Sequence, residues 1–140
     1  MLTAMTVWNF SEVEQAVRAS WGRDTRDPDA TSEWRADNPA RGQCGVTALV
    51  IQDLLGGDLI LGEAYLDGEK VDNHYWNRFG SGVDIDLTRE QFREGQTVVG
   101  DKVVKRPPEG PRRCREQYEL LRTRVFAALG LPPESSALLQ

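Results

Sequence analysis

Apolar residues recur every three or four positions in two stretches of the chain, which is the spacing of one helix face. The first stretch predicts a short amphipathic helix over about residues 11–21, begun by a Ser-x-x-Glu capping box at Ser11. The second predicts a C-terminal helix over about 111–129, with Cys114 on its apolar stripe. Residues 44–55 are apolar on nearly every side and precede two glycines, so they predict a central helix that is buried all round.

Short runs rich in apolar and aromatic residues, bounded by turn residues, predict strands in the middle of the chain. Residues 59–66 and 70–79 form two such runs, joined by an Asp-Gly pair that is typical of a tight hairpin turn. A glycine-rich turn at 80–82 leads to a third strand over 83–87, and residues 97–104 predict one or two further short strands. The predicted fold class is therefore α+β, with a central helix packed on a small antiparallel sheet and with helices at both ends.

Composition predicts a single globular domain spanning residues 1–140, with its core over about 31–105. The 22 acidic and 17 basic residues give a net charge of −5, which disfavours nucleic acid and anionic membranes as partners. The N-terminus lacks the basic region of an export signal, and no apolar run approaches the roughly 20 residues that cross a bilayer. We therefore expect a cytoplasmic location and two free thiols.

Three residue types needed for cysteine catalysis occur in a suitable chain order. Cys44 lies between glycines at the predicted start of the central helix, and His74 is the single histidine of the chain. Asp84 and Asp86 follow it. A thiol needs its pKa lowered by about two units to be reactive near neutral pH, and a helix N-terminus supplies too little of that energy. His74 is therefore the required partner of Cys44, if Cys44 is a nucleophile.

The predicted turn at 80–82 indicates which aspartate lies near the histidine. It sets Arg78 opposite Asp84 and places His74 on the same sheet face as both aspartates, with Asp86 as its diagonal neighbour. Asp84 is explained by a cross-strand ion pair with Arg78. We therefore prefer Asp86 as the carboxylate that orients His74, and Asp84 stays the alternative.

Other residues near the cysteine are candidates for supporting roles. An acyl-transfer site needs donors for the developing oxyanion, and the backbone N–H of Cys44 and the side-chain amides of Gln43 and Asn38 are such candidates. Tyr75 and Trp76, which directly follow the histidine, are expected to line a pocket. Two cysteines and one histidine do not make a four-ligand zinc site without carboxylates, so neither a metal nor another cofactor is predicted.

Three short runs carry a resemblance to a known family. Residues 38–44 (NPARGQC), 74–77 (HYWN) and 86–88 (DLT) resemble the small bacterial YunG family, and the likeness covers about residues 31–93. The order of these runs is also similar to the papain-like superfamily of cysteine enzymes, which includes NlpC-type hydrolases and transglutaminase-like enzymes.

The resemblance implies a papain-like core, in which a cysteine begins a buried helix and a histidine lies on an adjacent antiparallel sheet. It implies Cys44, His74 and Asp86 as the site, and Asn38 falls at the offset where papain-type enzymes place an oxyanion glutamine. The chain departs from those proteases in having asparagine there, a shorter Cys-to-His interval and no second lobe.

The sequence leaves three functions open. The first is a cysteine-dependent hydrolase or acyltransferase acting on a small-molecule or peptide-like acyl substrate through a thioester intermediate. The second is a non-catalytic domain that uses the same scaffold to bind a small molecule or a protein. The third is a redox sensor in which Cys114 resolves an oxidised Cys44.

Overall fold

The computed structural model describes residues 9–29, 34–80, 82–92 and 95–135. Its helices are α1 (Phe10–Ser20), α2 (Cys44–Leu55) and α3 (Arg115–Leu129), and its strands are β1 (Asp58–Leu66), β2 (Glu69–Phe79), β3 (Val83–Ile85) and β4 (Gln96–Val104). A single 3₁₀ turn, Arg89–Gln91, lies between β3 and β4 in this part of the chain. The predicted α+β class is confirmed.

The four strands form one antiparallel sheet in the order β3-β2-β1-β4. The β4 segment is one strand of nine residues rather than two short ones. Its pairing with β1 is irregular between Leu61 and Glu63, and this irregularity accommodates the glycine between the two halves of β4 without ending the strand. Gly62 lies at this irregularity. A Cβ there would lie 2.8 Å from the Trp76 ring and 2.9 Å from the Val99 carbonyl oxygen, so only glycine leaves room for that ring.

The register between β2 and β3 is the one predicted from the sequence. Arg78 faces Asp84 and Phe79 faces Val83 across the hairpin. The intervening turn includes Ser81, which lies outside the described residues. Strand β3 ends at Ile85, two residues earlier than predicted, so Asp86 follows the strand instead of pairing within it.

The predicted bounds of α2 are confirmed, whereas both terminal helices begin differently. Helix α1 is capped by Asn9, whose side chain accepts the Glu12 N–H at 2.9 Å, so the predicted cap at Ser11 is wrong. Helix α3 begins at Arg115. Cys114 is the residue before it, in a left-handed backbone conformation with φ of 58°, and its side chain still packs against the apolar cluster as predicted.

The main apolar cluster is formed by all three helices together with residues from loops and the sheet. Its fully buried aliphatic side chains are Val13, Val17, Ala40, Val50, Ile51, Leu121 and Val125. Helices α1 and α3 therefore contribute to the apolar interior together with the 31–105 segment. This packing fixes the position of α2 and of the cysteine at its first residue.

A buried ionic cluster fixes the other end of α2. Asp53 is 4% exposed and accepts from Arg106 Nη1 at 2.8 Å, from Arg122 Nε at 3.1 Å and from the Tyr118 hydroxyl. Burial beside Asp53 raises the pKa of Tyr118 to about 12. Since these partners come from the segment after β4 and from α3, the cluster ties the C-terminal third of the chain to α2.

No helix in the described part of the chain is long and apolar enough to cross a membrane.

Candidate functional site

His74 lies in the middle of β2 and is fully buried. Its Nε2 atom lies 2.6 Å from Oδ2 of Asp86, the residue that directly follows β3. Asp84 instead accepts from Arg78 Nε at 2.7 Å, and this guanidinium lowers the pKa of the Asp84 carboxyl. The hairpin register thus brings Asp86 to the imidazole and leaves Asp84 in a cross-strand ion pair, as the sequence predicted.

Two aromatic rings and an amide enclose the rest of the imidazole. Trp76 stacks against it with ring centroids 5.5 Å apart, and Phe92 meets it edge-on at 4.7 Å. Gln91 Nε2 lies 3.4 Å from His74 Nδ1. Each nitrogen of the ring therefore faces a polar partner, Asp86 on one side and Gln91 on the other.

Gln91 connects the imidazole to the segment that carries the cysteine. Its Oε1 atom accepts the backbone N–H of Gly42 at 3.1 Å, so its amide nitrogen is the end that faces His74. With Gln91 donating to Nδ1, the ring proton resides on Nε2 and is donated to Asp86. Gln91 is not among the site residues predicted from the sequence, where it is marked only by its position five residues after Asp86 in a short turn.

Cys44 is the first residue of α2 and opens into a cavity of about 310 Å³, which we call the polar cavity. The pKa of the Cys44 thiol is raised to about 11, chiefly by burial and in smaller part by the carboxylates of Asp72 and Asp86. The backbone N–H groups of Tyr75 and Gly45 oppose this shift. In this state Cys44 is a protonated thiol.

The side chains of Cys44 and His74 lie on different sides of β2. The sulfur interacts with the backbone N–H of Tyr75, the residue next to His74. Tyr75 itself lines the polar cavity, as does Gln91, whereas His74 is not among the described residues at its surface. Neighbouring side chains of a strand point to opposite faces. The Tyr75 side chain therefore lies on the Cys44 side of β2, and His74 shares the other face with Trp76.

The predicted supporting residues divide into those at the cavity and those elsewhere. Tyr75 lines the cavity as predicted, but Trp76 does not: it is buried, donating to Asp84 from Nε1 at 3.1 Å. Gln43 is fully buried and turns away, because its amide donates to the Gly22 carbonyl and accepts from Thr25. Its side chain is therefore not an oxyanion donor in this structure.

Asn38 also lies away from the sulfur. Its Nδ2 atom donates weakly to the Gln91 carbonyl at 3.4 Å and so supports the turn that holds Gln91. Cys44 and Cys114 are both free and partly accessible. Within the described residues, no group of three or more histidine, cysteine, aspartate and glutamate side chains is close enough to hold a metal ion.

Fold and site together define an α+β protein with a cysteine at the head of its central helix and a buried histidine–carboxylate pair on the adjoining sheet. The family model of the YunG protein matches residues 9–130, and the chain belongs to this family. It is similar to a Bacillus subtilis (strain 168) protein named "Uncharacterized protein YunG", with 39% identity over 86 residues. That match covers 60% of this chain and 64% of the relative, so the chain spans slightly less than two thirds of the relative's length. No solved structure matches the chain.

Proposed function

We propose that this protein is a cysteine-dependent enzyme that acts on an amide, thioester or other acyl bond. Cys44 is the nucleophile, His74 accepts its proton and Asp86 orients the imidazole. The observation that carries this proposal is the buried His74–Asp86 pair, 2.6 Å apart, on the strand whose next residue, Tyr75, interacts with the Cys44 sulfur. A small-molecule or peptide-like acyl compound is the substrate.

The thiol needs this base because of its surroundings. With a pKa of about 11, Cys44 is on the order of one part in ten thousand thiolate at pH 7. A resting thiolate–imidazolium pair is therefore not the form that reacts. Proton transfer to His74 must accompany the attack of the sulfur, and such general-base assistance contributes about 10²- to 10⁴-fold in rate.

The first half-reaction forms a thioester. The Cys44 S–H proton passes to His74 Nδ1, the sulfur bonds to the carbonyl carbon, and the leaving amine, thiol or alcohol departs with the proton that the imidazole returns. Water or an acceptor amine then cleaves the thioester. Gln91 holds Nδ1 in the resting structure, and the Cys44 and His74 side chains lie on different sides of β2. The transfer therefore requires that the Gln91 amide withdraws from the ring and that the thiol moves toward Nδ1.

Backbone groups at the start of α2 are the oxyanion donors of this proposal. Gln43 is the N-cap residue of α2, but its side chain makes no hydrogen bond to the helix. The first N–H groups of α2 are therefore not capped by that side chain. Gly42, Cys44 and Gly45 all line the polar cavity. A carbonyl oxygen held there meets N–H donors and the positive end of the helix dipole.

The arrangement resembles a papain-like core in three respects. A cysteine begins a buried helix, a histidine lies on the adjoining antiparallel sheet, and a carboxylate binds the imidazole nitrogen remote from the proposed proton-accepting atom. The 3₁₀ turn with Gln91 differs from that scheme, since an amide rather than the thiol faces Nδ1 here. We take the papain-like relationship as part of the proposal, supported by these shared placements.

Intact-mass analysis with a thioester acyl donor tests this function. Wild-type protein should gain one acyl group, and Cys44→Ala should gain none. His74→Ala should acylate at least a hundredfold more slowly, while Cys114→Ala should match the wild type. Equal labelling of wild type and His74→Ala, with both variants folded, would contradict the proposal.

A non-catalytic binding domain is the second candidate, favoured by two specific observations. The Cys44 pKa is raised rather than lowered, and Gln91 occupies the imidazole nitrogen that a base would use. In that case the histidine–carboxylate pair is structural. The acylation rates distinguish the two functions, because a binding domain shows no dependence on His74.

A further inference from the structure

A second cavity adjoins the polar cavity on the other side of Gly45 and Tyr75. Its volume is about 230 Å³, and Gly45 and Tyr75 line both cavities. The aliphatic and proline side chains that line it are Ala48, Leu49, Leu59, Val104, Pro107 and Pro111. We call it the apolar cavity. Cys44 lines the polar cavity and directly precedes Gly45, one of the two residues that the cavities share.

The two cavities differ in chemistry. Four charged side chains line the polar cavity: Asp27, Asp29, Asp72 and Arg113. Arg113 is engaged by two of them, with Nη2 at 2.7 Å from Asp29 and 3.1 Å from Asp27. This wall suits a polar group and offers little to a hydrocarbon.

Two cationic residues, Lys105 and Arg106, line the apolar cavity; Lys105 is exposed, and the Arg106 charge is paired. Arg106 lines it, yet its guanidinium donates to Asp53 at 2.8 Å and to the Tyr118 hydroxyl at 2.5 Å. The rest of the wall is largely aliphatic, so transfer of an apolar group from water into this space is favourable.

Gly45 and Tyr75 form the two sides of the junction between the cavities, since both residues line both cavities. A Cβ at Gly45 would have the Tyr75 ring as its nearest neighbour, at 4.0 Å, which is ordinary contact. Tyr75 forms the opposite side of the junction and is half-buried. Burial raises the pKa of its hydroxyl, the Cys44 thiol raises it as well, and the Arg113 guanidinium lowers it. A group bonded to the Cys44 sulfur therefore has two directions open to it. It can extend into the polar cavity, or it can pass between Gly45 and Tyr75 into the apolar cavity.

We propose that the substrate is an acyl compound whose apolar acyl group fills the apolar cavity and whose polar leaving group lies in the polar cavity. This inference rests on the proposed function, since it assigns the two halves of the substrate to the two sides of Cys44. The reaction is the thioester formation described above, with the acyl group retained on sulfur and the protonated leaving group released toward the polar side.

The test uses N-alkylmaleimides of increasing chain length, because they modify a thiol without requiring catalysis. Peptide mass analysis gives the rate at Cys44 relative to Cys114 within the same molecule. The relative rate should rise about two- to fourfold per added methylene until the cavity is full, since the chain leaves water for an apolar wall.

Two neighbouring variants on β4 provide the matched comparison. Val104→Asp puts a charge into the apolar cavity, whereas Val103→Asp changes the adjacent residue, which is 54% exposed on the opposite face. Val103→Asp should keep the chain-length preference and Val104→Asp should lose it, with near-ultraviolet circular dichroism verifying that both are folded. A flat chain-length profile in the wild type, or an unchanged preference in Val104→Asp, would overturn the proposal.

Acyl thioesters with one fixed leaving group then test the same preference in the reaction itself, and the same chain-length order is expected for the acyl-enzyme. A maleimide preference without any acyl-enzyme would sink the proposed enzymatic function and the assignment of this cavity to an acyl group. A flat maleimide profile with His74-dependent acylation would overturn only the substrate assignment.

Discussion

Gln91 and Gly42 are joined by a hydrogen bond of 3.1 Å from the backbone N–H of Gly42 to Oε1 of Gln91. This bond decides which end of the amide faces His74, and so it decides which imidazole nitrogen carries the proton. A residue outside the predicted triad therefore sets the hydrogen-bonding state of the proposed base. It also links the imidazole to the loop that leads into Cys44.

We expect neutral His74 to be the Nε2–H tautomer, because Nε2 donates to Asp86 and Nδ1 accepts from Gln91. The chain has one histidine, so its imidazole ¹⁵N resonances need no assignment by mutation. Long-range ¹H–¹⁵N correlation at mildly alkaline pH measures the tautomer directly. Protonation on Nδ1 instead would show that the Gln91 amide has the opposite orientation.

Asp86→Asn should impair acylation strongly, while Asp84→Asn should not. Removing the carboxylate charge from the buried imidazole leaves the imidazolium of the transition state without a counter-charge, and we expect a loss of about a hundredfold or more in acylation rate. Asp84 is in an exposed pair with Arg78, so its replacement should cost under about 1 kcal/mol. Equal rates for the two variants would remove Asp86 from the site.

Gln91→Ala should destabilise the fold by about 1 to 3 kcal/mol, because Gln91 is buried and its loss leaves the Gly42 N–H and His74 Nδ1 without a partner. Gln91→Glu keeps an acceptor for Gly42 and provides the comparison. Urea unfolding measures both. A change within about 0.5 kcal/mol for the alanine variant would mean that the bonds to Gly42 and His74 contribute little to stability.

The Cys44 thiol should make stability fall in alkaline solution. Its pKa of about 11 in the fold lies above the value of about 8.5 expected in the unfolded chain. The unfolded state therefore releases this proton first as pH rises, and the stabilisation that is complete below about pH 8.5 is lost progressively up to about pH 11. Between about pH 8 and pH 10 the loss should be about 1 to 2 kcal/mol.

The pH effect is isolated by comparing Cys114→Ala with the double variant that also carries Cys44→Ala. The extra alkaline loss in the free energy of unfolding should occur only where Cys44 is present. Parallel pH profiles for the two proteins would show that the surroundings of Cys44 in the fold do not raise the pKa of its thiol.

Asp53→Asn should destabilise the protein far more than Asp24→Asn. Asp53 is the buried counter-charge for Arg106 and Arg122, and breaking such a cluster costs about 3 to 5 kcal/mol. Asp24 pairs with Arg124 at the surface, where a pair contributes about 1 kcal/mol or less. Thermal and urea unfolding should rank the variants in that order, and the reverse order would show that the cluster is not a main support of the fold.

The hairpin was predictable because strand parity is a local rule. Once a turn joined 70–79 to 83–87, the pairing of Arg78 with Asp84 followed, and so did the approach of Asp86 to His74. The same rule could not show on which side of β2 the thiol of Cys44 would lie. That depends on how α2 packs against the sheet, through contacts distant in sequence such as the bond from Asn77 to the Ala48 carbonyl.

The main features that could not be predicted were contacts between polar residues that are distant from each other in the sequence. Gln52 and Asp53 interrupt an otherwise apolar helix, and their buried partners come from residues more than fifty positions later. The start of α3 was misplaced for a different reason: Cys114 fits the helical spacing and packs against the apolar cluster, but the backbone enters α3 through a left-handed residue at that position. Hydrophobic periodicity carries no information on either feature.

Gly62 bears no side chain and takes no part in the proposed chemistry, yet it supports the imidazole through Trp76. Any larger residue there would push the indole, which packs on His74, against its neighbours. In a genetic screen for inactive alleles, position 62 should therefore be recovered together with the site residues. A smaller ring at position 76 should not rescue such alleles fully, because the Val99 carbonyl oxygen also lies within 2.9 Å of the added Cβ.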